Sequence, residues 1–156
     1  MEIINGERLV LGTCYYPEHW DENMIDEDLD NIIELGSNVI RIGEFAWHMM
    51  ENVEGNYDFS YFDRVIKKAK EKNILLEVNN SSLNSDGYRA GALDNYKIML
   101  NLCKKYKVKV ILGSDAHISY AVGKFPNCEK LLKEINFPDE LVINYNEAHI
   151  IEFFNI

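Results

Sequence analysis

Ser60-Tyr61-Phe62-Asp63-Arg64-Val65-Ile66-Lys67-Lys68-Ala69-Lys70-Glu71-Lys72-Asn73-Ile74-Leu75-Leu76-Glu77-Val78 sets two periodicities back to back. Val65, Ile66 and Ala69 recur at helical spacing behind Ser60-x-x-Asp63, which resembles a capping box. Asn73 ends that helix, and Ile74 to Val78 then runs almost wholly apolar, as a buried strand does. A helix delivered straight into an apolar strand is half of a βα repeat, and consecutive repeats build a parallel sheet.

The alternation continues in both directions. Upstream, Leu9 to Tyr16 reads as a strand, and Asp21 opens a helix with Ile25, Leu29, Ile32 and Ile33 on one face. Gly36 stops that helix where a left-handed residue is wanted, and Val39 to Ile42 is the next strand. Downstream, residues 79–91 are rich in Asn, Ser and Gly and read as a loop. A helix follows with Met99, Leu102, Cys103 and Tyr106 on one face, then a strand from Val108 to Leu112. Another helix carries Cys128, Leu131, Leu132 and Ile135, and a short strand from Leu141 to Ile143 leads into a terminal helix ending near Phe154. These are about five βα units. A closed barrel takes eight units and about 250 residues, so 156 residues predict one α/β domain with an open or partial TIM-barrel-like sheet.

With 47% hydrophobic residues the chain is able to bury a core, and its net charge of -10 is unevenly spread. Residues 1–73 hold 7 Lys and Arg against 16 Asp and Glu, a balance of -9; residues 74–156 hold 9 against 10. So acidic a front half excludes phosphate backbones and anionic membranes as partners, since both require a positive surface. Neither a basic-then-apolar leader nor an apolar run of about 18 residues is present, so a cytoplasmic location is expected. Cys14, Cys103 and Cys128 are odd in number and lack a C-x-x-C spacing, which predicts reduced structural thiols.

Three blocks in the front half carry chemistry: residues 12–20, Gly-Thr-Cys-Tyr-Tyr-Pro-Glu-His-Trp; residues 39–47, Val-Ile-Arg-Ile-Gly-Glu-Phe-Ala-Trp; and residues 54–63, Glu-Gly-Asn-Tyr-Asp-Phe-Ser-Tyr-Phe-Asp. Each block sits where a strand gives way to a loop, the functional face of a parallel barrel. Sugars present flat apolar faces ringed by hydroxyls, so a sugar pocket needs aromatic plates and polar groups. Tyr16, Trp20, Phe45 and Trp47 are candidate plates; Arg41 and Glu44 are candidate substrate contacts. Strand-end aromatics also pack cores, and an Arg–Glu pair also makes a salt bridge. His19 and His48 read as structural.

In order and spacing these blocks, over residues 9–73, resemble the opening of glycoside hydrolase family 42, the β-galactosidases built on a (β/α)8 barrel. The resemblance implies that Arg41 lies near the family's nucleophile. Retaining glycosidases use two carboxylates about 5 Å apart, and in this family both come from later strands, so the catalytic set is expected to be incomplete. Asn146-Glu147 mimics the Asn-Glu acid/base pair of related barrels but reads as a helix start.

In the back half, Ile111-Leu112-Gly113-Ser114-Asp115-Ala116-His117 places a carboxylate and an imidazole two residues apart at a strand end, where both are able to turn toward one cation. With residues 76–82, Leu-Glu-Val-Asn-Asn-Ser-Ser, and Tyr88-Arg89-Ala90-Gly91, this segment resembles the C-terminal third of the polymerase and histidinol phosphatase phosphoesterases over residues 74–156. The resemblance implies Asp115 and His117 as ligands of a divalent metal, zinc or manganese, and Arg89 as a phosphate contact. The family also uses a His-x-His pair that is absent here, among only four histidines. Asp115 and His117 read equally well as a hydrogen-bonded pair.

The sequence therefore reads as a join of two hydrolase segments near Asn73-Ile74. It predicts a β-galactosidase-type glycoside hydrolase lacking part of its catalytic set. The alternatives are a metal-dependent phosphoesterase and a non-catalytic recombination product. The expected partners are a small galactoside or phosphoester and, through opened sheet edges, a second copy of the chain.

Overall fold

The same backbone device ends four helices in a computed structural model that describes residues 3–4, 7–8, 11–44, 46–84 and 92–154. In chain order the elements are β1 (Ile3–Ile4), β2 (Glu7–Arg8), β3 (Gly12–Cys14), α1 (Ile25–Glu34), β4 (Val39–Arg41), α2 (Trp47–Met50), β5 (Glu51–Val53) and β6 (Asn56–Tyr57). They continue with α3 (Ser60–Glu71), β7 (Leu75–Asn79), α4 (Ala92–Tyr106), β8 (Val110–Gly113), α5 (Pro126–Glu134) and α6 (Glu147–Phe154). Just past α1, α3, α4 and α5 stand Gly36, Asn73, Lys107 and Asn136, with φ of 83°, 54°, 54° and 50°. The next N–H in each case reaches back over the last turn: Ser37 to Ile32, Ile74 to Ala69, Val108 to Cys103 and Phe137 to Leu132, at 2.8–3.0 Å. This left-handed cap satisfies orphan carbonyls and turns the chain back toward the sheet within a few residues.

The sheet is four-stranded in the order β3-β4-β7-β8, a parallel α/β sheet with no closed barrel. The chain divides into two compact units, one up to Leu76 and one from Glu77. In the first, Leu29, Ile40, Val65, Ile66, Ala69 and Leu75 are fully excluded from solvent; in the second, Leu100, Cys103, Val110 and Ile143 are. Cys103 and Cys128 are buried free thiols, both pushed up to about 12 chiefly by burial, and so they stay protonated. Cys14 is also free, but exposed.

Several local expectations are revised. Ile33 is 42% exposed, and the buried line of α1 is Ile25, Leu29 and Ile32. On α4 the buried line runs through Tyr96, Leu100 and Cys103, which leaves Met99, Leu102 and Tyr106 half-buried beside it. The capping box at Ser60 does not form: Asp58 accepts the Ser60 N–H at 2.9 Å, while Asp63 pairs with Lys67 at 2.7 Å. That hydrogen bond holds the Asp58 carboxyl below its usual range.

The strand expected at Leu141–Ile143 is instead a pair of 3-10 turns, Asp139–Leu141 and Ile143–Tyr145, making one parallel bridge from Val142 to Val110. The Val142 N–H is committed to Asp139 O at 3.0 Å, so it has no donor left for a ladder. The Asn144 amide takes over, accepting from Leu112 N and donating to Leu112 O, each at 2.9 Å. A side chain thus closes the outer edge of β8.

Lys107 is the one cap that is neither Gly nor Asn, and left-handed backbone costs a residue with a Cβ about 1 kcal/mol. Lys107→Gly should therefore stabilise the chain by about 0.5–1 kcal/mol, read as a raised urea midpoint at unchanged m-value. A lowered midpoint would refute the cap.

Candidate functional site

At the carboxyl end of β3 the chain presents two tyrosines to opposite sides, as strand alternation requires. Tyr15 is buried and its hydroxyl donates to Asp28 Oδ2 at 3.0 Å; burial, then that carboxylate, raises its pKa. Tyr16 turns the other way and donates to Glu44 Oε2 at 3.1 Å. His19 stacks on the Tyr16 ring, with centroids 5.6 Å apart and planes 17° off parallel.

Glu44 arrives by the turn after β4. Gly43 takes φ +73°, and a Cβ there would come within 3.3 Å of Met50 Cε. Ala46, Met50 and Phe62 form the apolar floor beneath this turn. Trp20 is 61% exposed beside the short turn Pro17–His19. Tyr16, His19 and Glu44 therefore form one platform, and Trp20 is an open aromatic surface on the same stretch of chain.

Arg41 is half-buried at the end of β4, where its carbonyl accepts the Tyr15 N–H at 2.9 Å. Phe45 lies outside the described residues. Trp47 opens α2, and His48 is exposed. Sequence reasoning passed over Glu18, whose two carboxylate oxygens are out of solvent with no hydrogen-bond partner among the described residues. Its neighbours in the Pro-Glu-His-Trp run gave no signal, because burial of the carboxylate depends on how the turn packs.

In the unit from Glu77, Asp115 adopts φ +50° just past β8. The pair expected to face one cation is joined differently: His117 Nδ1 lies 2.9 Å from the Asp115 backbone carbonyl, and both residues are exposed. Arg89 lies outside the described residues. Glu77, not singled out from sequence, packs over Gly113 so closely that a Cβ there would fall 2.1 Å from Glu77 Oε1. Among the described residues no group of three His, Cys, Asp or Glu side chains is placed to hold a metal ion. Asp115 and His117 alone supply two donors where a closed site takes four, so the described residues do not fit a metal centre.

The helix start read at Asn146-Glu147 is present, with Asn146 Oδ1 accepting the Ala148 N–H at 2.8 Å. Glu147 is exposed in the first turn of α6. It is part of a cap.

Aromatic and carboxylate side chains thus gather at the carboxyl ends of parallel strands, the face of a βα sheet that carries function. Comparison with known proteins gives two likenesses. The family model described as "Beta-galactosidase", glycoside hydrolase family 42, matches residues 14–83. β-Galactosidase YesZ of Bacillus subtilis strain 168 is 48% identical over 67 residues, which are 43% of this chain and 10% of that protein. A "Probable phosphatase" of Clostridium botulinum strain Langeland is 47% identical over 100 residues, which are 64% of this chain and 40% of that protein. The chain thus has a mixed resemblance, and it spans less than half the length of either relative. In fold it resembles the β-galactosidase of the haloarchaeon Halorubrum lacusprofundi, with a TM-score of 0.53 at 15% identity over 92% of this chain and 26% of that one.

Partial burial and the hydrogen bond to Glu44 push the Tyr16 phenol up to about 12. In the difference between the wild-type and Tyr16→Phe alkaline titrations, a single phenolate should appear near pH 12. In a Glu44→Gln background it should move down toward the ordinary tyrosine value of about 10. A midpoint near 10 in both backgrounds would remove Glu44 as its partner.

Proposed function

We propose that the front unit is the sugar-binding wall of a β-galactosidase-type glycoside hydrolase, and that the chain binds galactosides without hydrolysing them. The observation that carries this reading is the Tyr16–Glu44–His19 platform at the carboxyl ends of parallel strands. The apolar face of a galactose ring suits an aromatic surface such as the Tyr16–His19 stack, and its hydroxyls suit Glu44 and Arg41. Glu44 accepts the Tyr16 proton in a hydrogen bond, so it is held as an acceptor for a sugar hydroxyl. Hydrolysis with retention takes a nucleophile and an acid/base about 5 Å apart, and in the family resembled both arise from later strands than those matched here. Binding therefore outlasts turnover.

Titration calorimetry with methyl β-galactoside should give a dissociation constant roughly in the millimolar range, lost on Glu44→Ala. Nitrophenyl β-galactoside should release no nitrophenol above the blank. Turnover, or the absence of heat with the wild-type chain, would overturn the proposal.

A second reading, a phosphoesterase, is supported by the exposed Asp115 and His117 just past β8 and by the likeness to the probable phosphatase. It requires ligands beyond Asp115 and His117. Zinc or manganese retained stoichiometrically, with nitrophenyl phosphate cleavage, both lost on Asp115→Ala, would favour it; metal-free protein without cleavage would sink it.

A further inference from the structure

Glu18 stands in the middle of the short turn Pro17–His19, between the two residues whose rings stack. Both of its carboxylate oxygens are out of solvent, and neither has a hydrogen-bond partner among the described residues. The hydroxyl of Tyr61, in the first turn of α3, shares both properties. Electrostatics couples the two groups: burial raises the Tyr61 pKa, and of the carboxylates that add to it Glu18 comes first, ahead of Glu22. The charge of Glu18 also acts on buried Tyr15, whose hydroxyl gives its proton to Asp28 Oδ2 at 3.0 Å and keeps its lone pairs. One carboxylate and two phenol oxygens are thus gathered from β3, the turn after it and the start of α3, all within the first compact unit.

An ionised carboxylate out of solvent is costly unless a positive charge answers it. The basic side chains of α3 and its cap are committed elsewhere: Arg64 to Glu22, Lys67 to Asp63, Lys68 to Asp26 and Lys72 to Asp30, while Lys70 is exposed. The Arg64 guanidinium lies over the face of the Tyr61 ring, 5.6 Å from its centroid. A water molecule would donate hydrogen bonds to Glu18 but leave its charge unanswered. The oxygens are already covered by this chain's own residues, so a macromolecular partner has no access to them.

We propose that Glu18, with the hydroxyl oxygens of Tyr61 and Tyr15, binds one monovalent metal cation, sodium or potassium. Oxygen donors suit a hard cation, and a single positive charge answers a single carboxylate. A divalent ion would leave an excess of charge, and among the described residues no three His, Cys, Asp or Glu side chains converge to hold one. The bound cation ties the Pro17–His19 turn to α3 and so fixes the segment that carries the Tyr16–His19 stack.

The test is thermal unfolding of the full chain in sodium, potassium or tetramethylammonium chloride at one ionic strength, about 0.1 M, so that general screening is equal. Sodium or potassium should raise the midpoint by about 3–5 °C over the bulky organic cation, as a roughly tenfold shift in the unfolding equilibrium requires. Glu18→Gln keeps the shape and removes the charge, so its midpoint should be the same in all three salts, and above that of the wild type in tetramethylammonium chloride. Tyr61→Phe, which removes one ligand oxygen and no charge, should lose most of the alkali-cation effect. Equal wild-type midpoints in the three salts would overturn the proposal. So would an alkali-cation effect that survives in both variants, since it would then arise elsewhere on the chain.

Discussion

A parallel strand cannot follow its neighbour by a tight turn, so the chain must leave the sheet, form a helix and return. The left-handed residue after each helix makes that return possible. Gly36, Asn73, Lys107 and Asn136 perform one operation four times, and the hydrogen bond from the following residue fixes the angle at which the chain re-enters. Strands β4, β7 and β8 and the turn at Val142 all start two to six residues after such a cap. Where the returning N–H stays free, a strand forms; where Val142 spends it on Asp139, only a bridge survives.

The two borders of the sheet are therefore unlike. At β8 the Val142 bridge and the Asn144 amide occupy backbone groups that would otherwise invite another strand. At β3 the described residues place nothing, and the exposed line of α1 lies beside it. An edge strand with an apolar groove alongside is a surface that natural proteins usually cover.

The strand ends gain their chemistry from the same geometry. Alternation sends Tyr15 inward to Asp28 and Tyr16 outward to Glu44, and Gly43 bends the next strand so that Glu44 reaches it. Beyond β8, Asp115 takes a left-handed conformation and offers its carbonyl to His117, so the imidazole is oriented by backbone and not by a carboxylate. The chain carries two likenesses, to a β-galactosidase family model over residues 14–83 and to a probable phosphatase over 100 residues.

The sequence alone determined the alternation of helix and parallel strand, the helix ends at Gly36 and Asn73 and the double resemblance, because these rest on local periodicity and on motifs read along the chain. Arg41, Glu44, Asp115 and His117 were legible as strand-end polar residues for the same reason. Only the tertiary structure decided which residues of α1 and α4 were buried, that Leu141–Ile143 would turn instead of pair, that Glu18 and Glu77 would be drawn inward, and that Glu44 would meet Tyr16 across 28 positions. Those outcomes depend on what packs against each segment. A periodic pattern marks a face to be covered but does not say what covers it.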